Sequence, residues 1–258
     1  METFQLTRKE MANLLLALQK ENDLSPVGVL KEAWLKRHPD LTENEVASAF
    51  MATQLPSIFE KLIKAGKREI TLSINDIVSL GNQIEHTTFS LTAVQNWVKR
   101  DAKDIIGSPE YGKKYSLDQA AILFIVDDLK TVLDFTSIRQ LLKMLFNNPE
   151  DRKDDLIFPL DFYLAYANIF EDLDPDGDQM IEAEEVDPTL ALIKKEKTLE
   201  ALIEKRARQY ADQLERLTDK QKNLLVNVLV VATLTIQLSF LQSLARRYTS
   251  TTLFLLNQ

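Results

Sequence analysis

The chain has 258 residues and a formal net charge of −8, with 45% hydrophobic and 27% charged residues. That balance belongs to a soluble globular protein with a sizeable core, and it excludes a diffusely basic nucleic-acid coat. With no cysteine and two histidines, disulfides, Cys-based zinc sites and a His-rich metal centre are excluded as well.

Six glycines and eight prolines are few for this length, so helix should dominate. The opening stretch METFQLTRKEMANLLLALQKEN has no uninterrupted apolar run and no small-residue cleavage site. It predicts no secretory signal, hence a cytoplasmic protein. His38 precedes Pro39 and His86 lies in a polar turn, so both are read as surface residues.

Residues 1–66 read as a helical N-terminal unit for packing or partner binding. Met11, Leu14, Leu15 and Leu18 recur at helical spacing. Ser25-Pro26 is an N-cap followed by proline at the first helical position. Thr42 and Glu45 form a capping-box pattern, Pro56 should kink or split the helix that follows, and Gly66 should end it.

Residues 67–148 carry the strongest functional pattern. Arg68 to Leu72 alternates and predicts a short strand. Ser73, with Asp76 three residues on, should cap a helix buried through Ile74, Ile77, Val78 and Ile84. A turn at Thr87–Phe89 leads to a second helix, capped by Ser90 or Thr92, with an apolar stripe of Leu91, Val94, Trp97 and Val98. Its other side presents Gln95, Asn96, Lys99, Arg100 and Lys103. Gln and Asn can pair bidentately with adenine and Arg with guanine, while Lys and Arg neutralise phosphate. The plainer reading is an amphipathic helix with a solvated polar face. Gly107, Pro109 and Gly112 then mark a hairpin with Lys113, Lys114 and Tyr115 beside its tip, suited to lie on a phosphate backbone. Ser116 with Gln119 caps a strongly apolar helix, and Thr136 should cap the next.

The order strand, helix, turn, helix, lysine-bearing wing and helix pair, with YSLDQAAILFIVDDLKTVLDFTSIRQLL, is similar to the DNA-binding domain of MerR-type regulators. Residues from about 10 to 170, with VQNWVKRD and GKKYS as landmarks, also resemble a Gram-positive family described only as domain of unknown function 1836. The resemblance implies a mainly α fold built on a winged helix-turn-helix, flanked by the N-terminal unit and long C-terminal helices. It also implies homodimers held by a long helix after the DNA-binding domain. VQNWVKRD departs from the Arg-Tyr-Tyr-Glu-like core of the MerR recognition helix, so the bases read would differ.

The polar breaker NNPEDRKDD (147–155) leads into residues 149–188, with an aromatic helix whose Phe158, Phe162, Tyr163, Tyr166 and Phe170 should pack. Residues 174–185 resemble a twelve-residue EF-hand loop. Asp174, Asp176 and Asp178 would be its first ligands, Met180 would offer a carbonyl, Glu182 would act through water, and Glu185 would close it on Ca2+. Gln179 stands where such a loop needs glycine, and no second loop pairs with it, so an empty acidic turn is the competing reading.

Residues 189–258 read as a long helical dimerisation segment with an apolar end. Ile203, Ala207, Tyr210, Leu214, Leu217, Gln221, Leu224 and Val228 alternate in four- and three-residue steps, a heptad seam for a homodimeric coiled coil or for packing within one chain. Asn223 to Ala245 is uncharged over about a bilayer's thickness. Its scattered Asn, Thr, Gln and Ser favour a buried or interface helix over a membrane segment. Strict alternation from Thr233 to Phe240 leaves a strand as a third reading.

No catalytic constellation appears, so the chain is read as a non-enzyme. The first functional expectation is a homodimeric, sequence-specific DNA-binding transcriptional regulator. The second is a calcium-responsive or membrane-associated protein-interaction module that does not bind DNA.

Overall fold

The computed structural model describes residues 4–19, 25–40, 43–65, 70–173 and 199–256. These are mainly α. Four helices lead: α1 (Arg8–Gln19), α2 (Pro26–Lys36), α3 (Glu43–Ala52) and α4 (Ser57–Ala65). Then come α5 (Ile74–Gly81), α6 (Leu91–Asn96), a π-helical turn (Trp97–Asp101) and α7 (Lys103–Ile106). The remainder is α8 (Leu117–Leu129), α9 (Phe135–Lys143), α10 (Pro159–Asp172), α11 (Leu199–Asp212) and α12 (Asp219–Leu256), with a 3-10 turn at Arg152–Asp154.

Local chemistry sets most helix starts. Ser25 Oγ accepts the Gly28 N–H at 2.9 Å, with Pro26 at the first helical position. Ser73/Asp76 and Ser116/Gln119 both form reciprocal capping boxes. Pro56 separates α3 from α4. The cap of α9 is Asp134 rather than Thr136: its carboxylate accepts the Ser137 N–H at 2.7 Å.

The axis of the molecule is α8. Every residue from Leu117 to Leu129 except Asp118 is buried, and a helix apolar all round must be enclosed by others. α1, α10 and α12 pack along it and α7 meets its start. Full burial of each Leu, Ile, Val or Phe here contributes about 1.5–3 kcal/mol. One hydrophobic cluster runs from Leu6 to Ile236.

Two carboxylates are buried at the end of α8. Asp128 Oδ1 accepts from Arg8 Nε at 2.9 Å and Nη2 at 2.7 Å, and Oδ2 accepts from the Tyr166 hydroxyl at 2.9 Å. Arg8 Nη1 also donates to the Glu85 carbonyl at 3.2 Å. One ion pair thus joins α1, the turn after α5, α8 and α10.

The expected winged helix-turn-helix is overturned, because no β-strand exists among the described residues. Leu72 and Tyr115 make a single antiparallel bridge, and Tyr111 and Lys114 another. The reason is local. Ser73 caps α5 immediately after Leu72, and Ser116 caps α8 immediately after Tyr115. Both chains turn into helices after one pair, so no ladder can grow and no wing forms. The MerR-like part of the resemblance falls with it.

The C-terminal seam takes the second of its two readings, packing within one chain. Ile203, Ala207, Leu217 and Val228 are buried within one chain, where α11 and α12 fold back on each other and on α10. Thr218 and Gln221 form a capping box, with Thr218 N–H to Gln221 Oε1 at 2.9 Å. That box starts α12 afresh and interrupts a continuous coiled coil. Residues 223–245 are helix throughout, not strand.

Candidate nucleic-acid interface

The segment from Ile70 to Ile106 is built around a tightly locked turn. Asn82 clamps Phe89: its Oδ1 accepts the Phe89 N–H at 2.8 Å and its Nδ2 donates to the Phe89 carbonyl at 3.2 Å. The Thr87 hydroxyl lies 2.6 Å from the Gly81 carbonyl and 2.9 Å from that of Ile84. Gly81 is required because the Phe89 ring sits where a side chain would begin: an added Cβ would lie 2.4 Å from it. His86 completes the turn with φ 62, a left-handed conformation that costs a non-glycine residue about 1–2 kcal/mol.

Phe89 packs edge-on against Phe124 and Trp97, which fixes the second helix on α8. Ser90 precedes α6 but makes no side-chain cap. After Asn96 the helix widens into the π turn, where the Ala102 N–H reaches the Trp97 carbonyl at 3.0 Å. Such turns insert one residue into the helical register and often mark functional sites. The inward face is Val94, Trp97, Val98, Ala102, Ile105 and Ile106, all buried. Leu91, expected in that stripe, is 41% exposed.

The outward face carries the expected cations. Lys99, Arg100 and Lys103 are exposed, whereas Gln95 and Asn96 are half-buried. Arg100 Nε donates to Asp101 Oδ1 at 3.2 Å. Arg100 and Lys103 share an open groove of about 480 Å³ with Arg139 on α9, and Asp104 and Glu150 form its acidic side. Lys143 holds Asp104 at 2.6 Å. Sequence reasoning missed Arg139, whose position depends on how α9 packs against α7. Its one signal was the strongly two-sided pattern of α9.

Lys113 and Lys114 are exposed at the Tyr111–Lys114 turn, where Gly112 supplies a φ of 68. Tyr115 is only 5% exposed, and its N–H and carbonyl pair with Leu72. It is therefore core, not a contact residue. The EF-hand and calcium expectation finds no support among the described residues. Asp174, Asp176, Asp178, Met180, Glu182 and Glu185 lie outside the described residues, and among the described ones no His, Cys, Asp and Glu group could hold a metal.

α12 alone is long and apolar enough, among the described residues, to cross a membrane. Its first half is committed elsewhere: Leu225, Val226, Val228, Leu229, Ala232, Thr233, Thr235 and Ile236 are buried in the protein. From Leu241 onward it projects, mostly exposed.

A family model described as domain of unknown function (DUF1836) matches residues 54–166, the stretch holding this turn, groove and central helix. The uncharacterized protein YkrK of Bacillus subtilis (strain 168) is 34% identical over 250 residues, covering 97% of this chain and 99% of the relative. No solved structure matches.

Proposed function

We propose that this chain, which belongs to the family described as domain of unknown function DUF1836, is a DNA-binding regulatory protein acting as a homodimer in the cytoplasm. The observation that carries this reading is the α5–turn–α6 unit. Its inner face is locked into the core, while Lys99, Arg100 and Lys103 stand exposed on its outer face. Arg139 adds a fourth cation to the adjoining groove. Without a wing, the second helix, its π turn and α9 make the contact, through phosphates first and bases second. Half-buried Gln95 and Asn96 stand beside these cations and are the candidates for reading bases.

The dimer reading rests on the projecting half of α12. Leu234, Leu238, Leu241, Ala245, Tyr248, Thr252 and Leu255 recur in alternating four- and three-residue steps, and all are exposed. Of these, Leu234, Leu238, Leu241, Tyr248 and Leu255 are each 38–67% exposed. At about 200 Å² for a large apolar side chain, they present on the order of 500 Å² along one face. That lies at the upper end of the few hundred Å² a monomer ordinarily exposes, against the roughly 800 Å² each partner gives to a stable interface. The partner we assign is a second copy, because the spacing is that of a two-helix seam. A bilayer fits less well: Arg246 and Arg247 interrupt the projecting segment, and the uncharged stretch before them is half committed to the core.

The test of DNA binding is fluorescence anisotropy on labelled random-sequence duplex at about 50 and 150 mM salt. Neutralising three phosphate contacts per protomer, six in the dimer, implies a slope of log K on log salt of about −5. Lys99→Ala/Arg100→Ala/Lys103→Ala should lose most of both affinity and slope. Absence of duplex binding at low salt, or an unaffected triple variant, rejects the reading. Sedimentation of Leu241→Glu tests the seam: the parent should sediment as a dimer and the variant as a folded monomer. A monomeric parent that instead partitions into vesicles assigns the stripe to lipid.

A further inference from the structure

A second cavity, of about 440 Å³, opens between the turn after α5 and the middle of α12. Its lining is almost wholly polar. Three cations reach it, Arg8, Lys130 and Arg246, against one carboxylate, Asp127. The remaining walls are mostly hydroxyls and amides of the turn and of α12.

The walls are held in place rather than loosely exposed. Arg8 is 6% exposed and fixed by Asp128 and the Glu85 carbonyl. Lys130 is bonded to Asp127 and lies 5.4 Å over the Trp97 ring. His86 keeps its left-handed backbone while its Nδ1 sits 3.0 Å from Ser243 Oγ and its ring meets Phe240 edge-on at 5.2 Å. Thr131 Oγ1 lies 3.3 Å from Ser239 Oγ on the far side. Backbone strain persists only where the surroundings over-determine it, and it gathers at ligand sites.

Volume and chemistry narrow the occupant. Small-molecule pockets run to about 300–1,000 Å³ and are mostly apolar. A pocket of that size with almost no apolar wall suits a ligand that is itself polar over its whole surface. Fixed cations favour an anion, and the surrounding hydroxyls and amides offer both donors and acceptors to several ligand hydroxyls.

We infer that this cavity binds a small hydroxylated phosphate monoester, of the sugar-phosphate class. Lys130 and Arg246 receive the phosphate, with Arg8 adding its field from behind, and Thr131, Ser239 and Ser243 take the hydroxyls. Asp127 is bonded to Lys130 and Asp128 to Arg8, so each carboxylate offsets one cation and Arg246 carries the excess positive charge. The inference is independent of whether the chain binds DNA.

The test is calorimetric titration of the full chain with glycerol 3-phosphate, ribose 5-phosphate and glucose 6-phosphate, with glucose and inorganic phosphate as controls. At least one of the three esters should bind saturably and more tightly than either control. Arg246→Gln, at an exposed position, should weaken that binding at least tenfold without moving the melting temperature of the free protein. Thr131→Val should weaken the ester while leaving any binding of inorganic phosphate unchanged. Three results overturn the inference: no saturable binding of any ester at about 10 mM, a control that binds as tightly as the best ester, or affinity unchanged in Arg246→Gln.

Discussion

Removing the Asp128 carboxylate should damage the fold more than any other single change to a side-chain polar group. Asp128 is 3% exposed and accepts three hydrogen bonds, two from Arg8 and one from Tyr166. In Asp128→Ala the Arg8 guanidinium, 6% exposed, keeps only its 3.2 Å bond to the Glu85 carbonyl. Leaving one member of a buried ion pair without its partner costs about 3–5 kcal/mol, and an orphaned buried hydroxyl adds about 1 more. A chain of this size loses roughly 2–4 °C of melting temperature per kcal/mol, so the expected drop is about 8–24 °C. The control is Arg8→Met/Asp128→Leu/Tyr166→Phe, which removes every member of the network together. Replacing a buried pair by apolar groups of similar volume is often neutral or better, so this variant should recover most of the loss. Urea unfolding followed by far-UV circular dichroism measures both. An Asp128→Ala cost below about 1 kcal/mol, or a triple variant as unstable as the single one, would show that the network is not the fold's polar anchor.

The other predictions concern a proton and two glycines. Burial, opposed by Lys130, pushes the Asp127 carboxyl from 3.8 up to about 6. The folded chain therefore keeps this proton between about pH 4 and 6 while the unfolded chain gives it up, so the associated stability is full below about pH 4 and is lost as pH rises through about 6. The stability of Asp127→Asn relative to the parent should rise across that window in urea titrations, and a flat difference would contradict the assignment. Gly81→Ala forces a methyl group into the Phe89 ring and should cost about 1–3 kcal/mol, as overpacking does. Gly112→Ala meets no neighbour within 4 Å and has only its φ of 68 against it, so its cost should stay near 1 kcal/mol. Calorimetry that ranks the two glycines in the opposite order would refute the account of the turn.

Helix starts were legible because their chemistry is local. Ser25-Pro26, Ser73 with Asp76, and Ser116 with Gln119 lie where the caps form. The apolar run of α8 announced a buried helix for the same reason. The wing fails on limits that are themselves in the sequence: the caps at Ser73 and Ser116 restrict the pairing of Leu72 with Tyr115 to one residue each. The heptad spacing alone leaves two readings open, and because Thr218-Asp219-Lys220-Gln221 is itself a capping box, the apparent repeat crosses a helix boundary. The cavity was invisible in principle. His86 reads as a surface histidine, and its partners Phe240 and Ser243 lie more than 150 residues away. Arg139 was hidden similarly, since only the packing of α9 on α7 brings it beside Arg100 and Lys103.

α12 has a mechanical consequence. It leaves the core near Leu238 and continues to Leu256 as unbroken helix, a stiff arm on the order of 27 Å long at 1.5 Å per residue. Its fulcrum is where His86, Thr131, Ser239 and Ser243 meet. A tilt of about 10° there swings the far end by roughly 5 Å, close to one helical pitch. Small changes in spacing beside the turn are thereby magnified at Tyr248 and Leu255, far from where they arise.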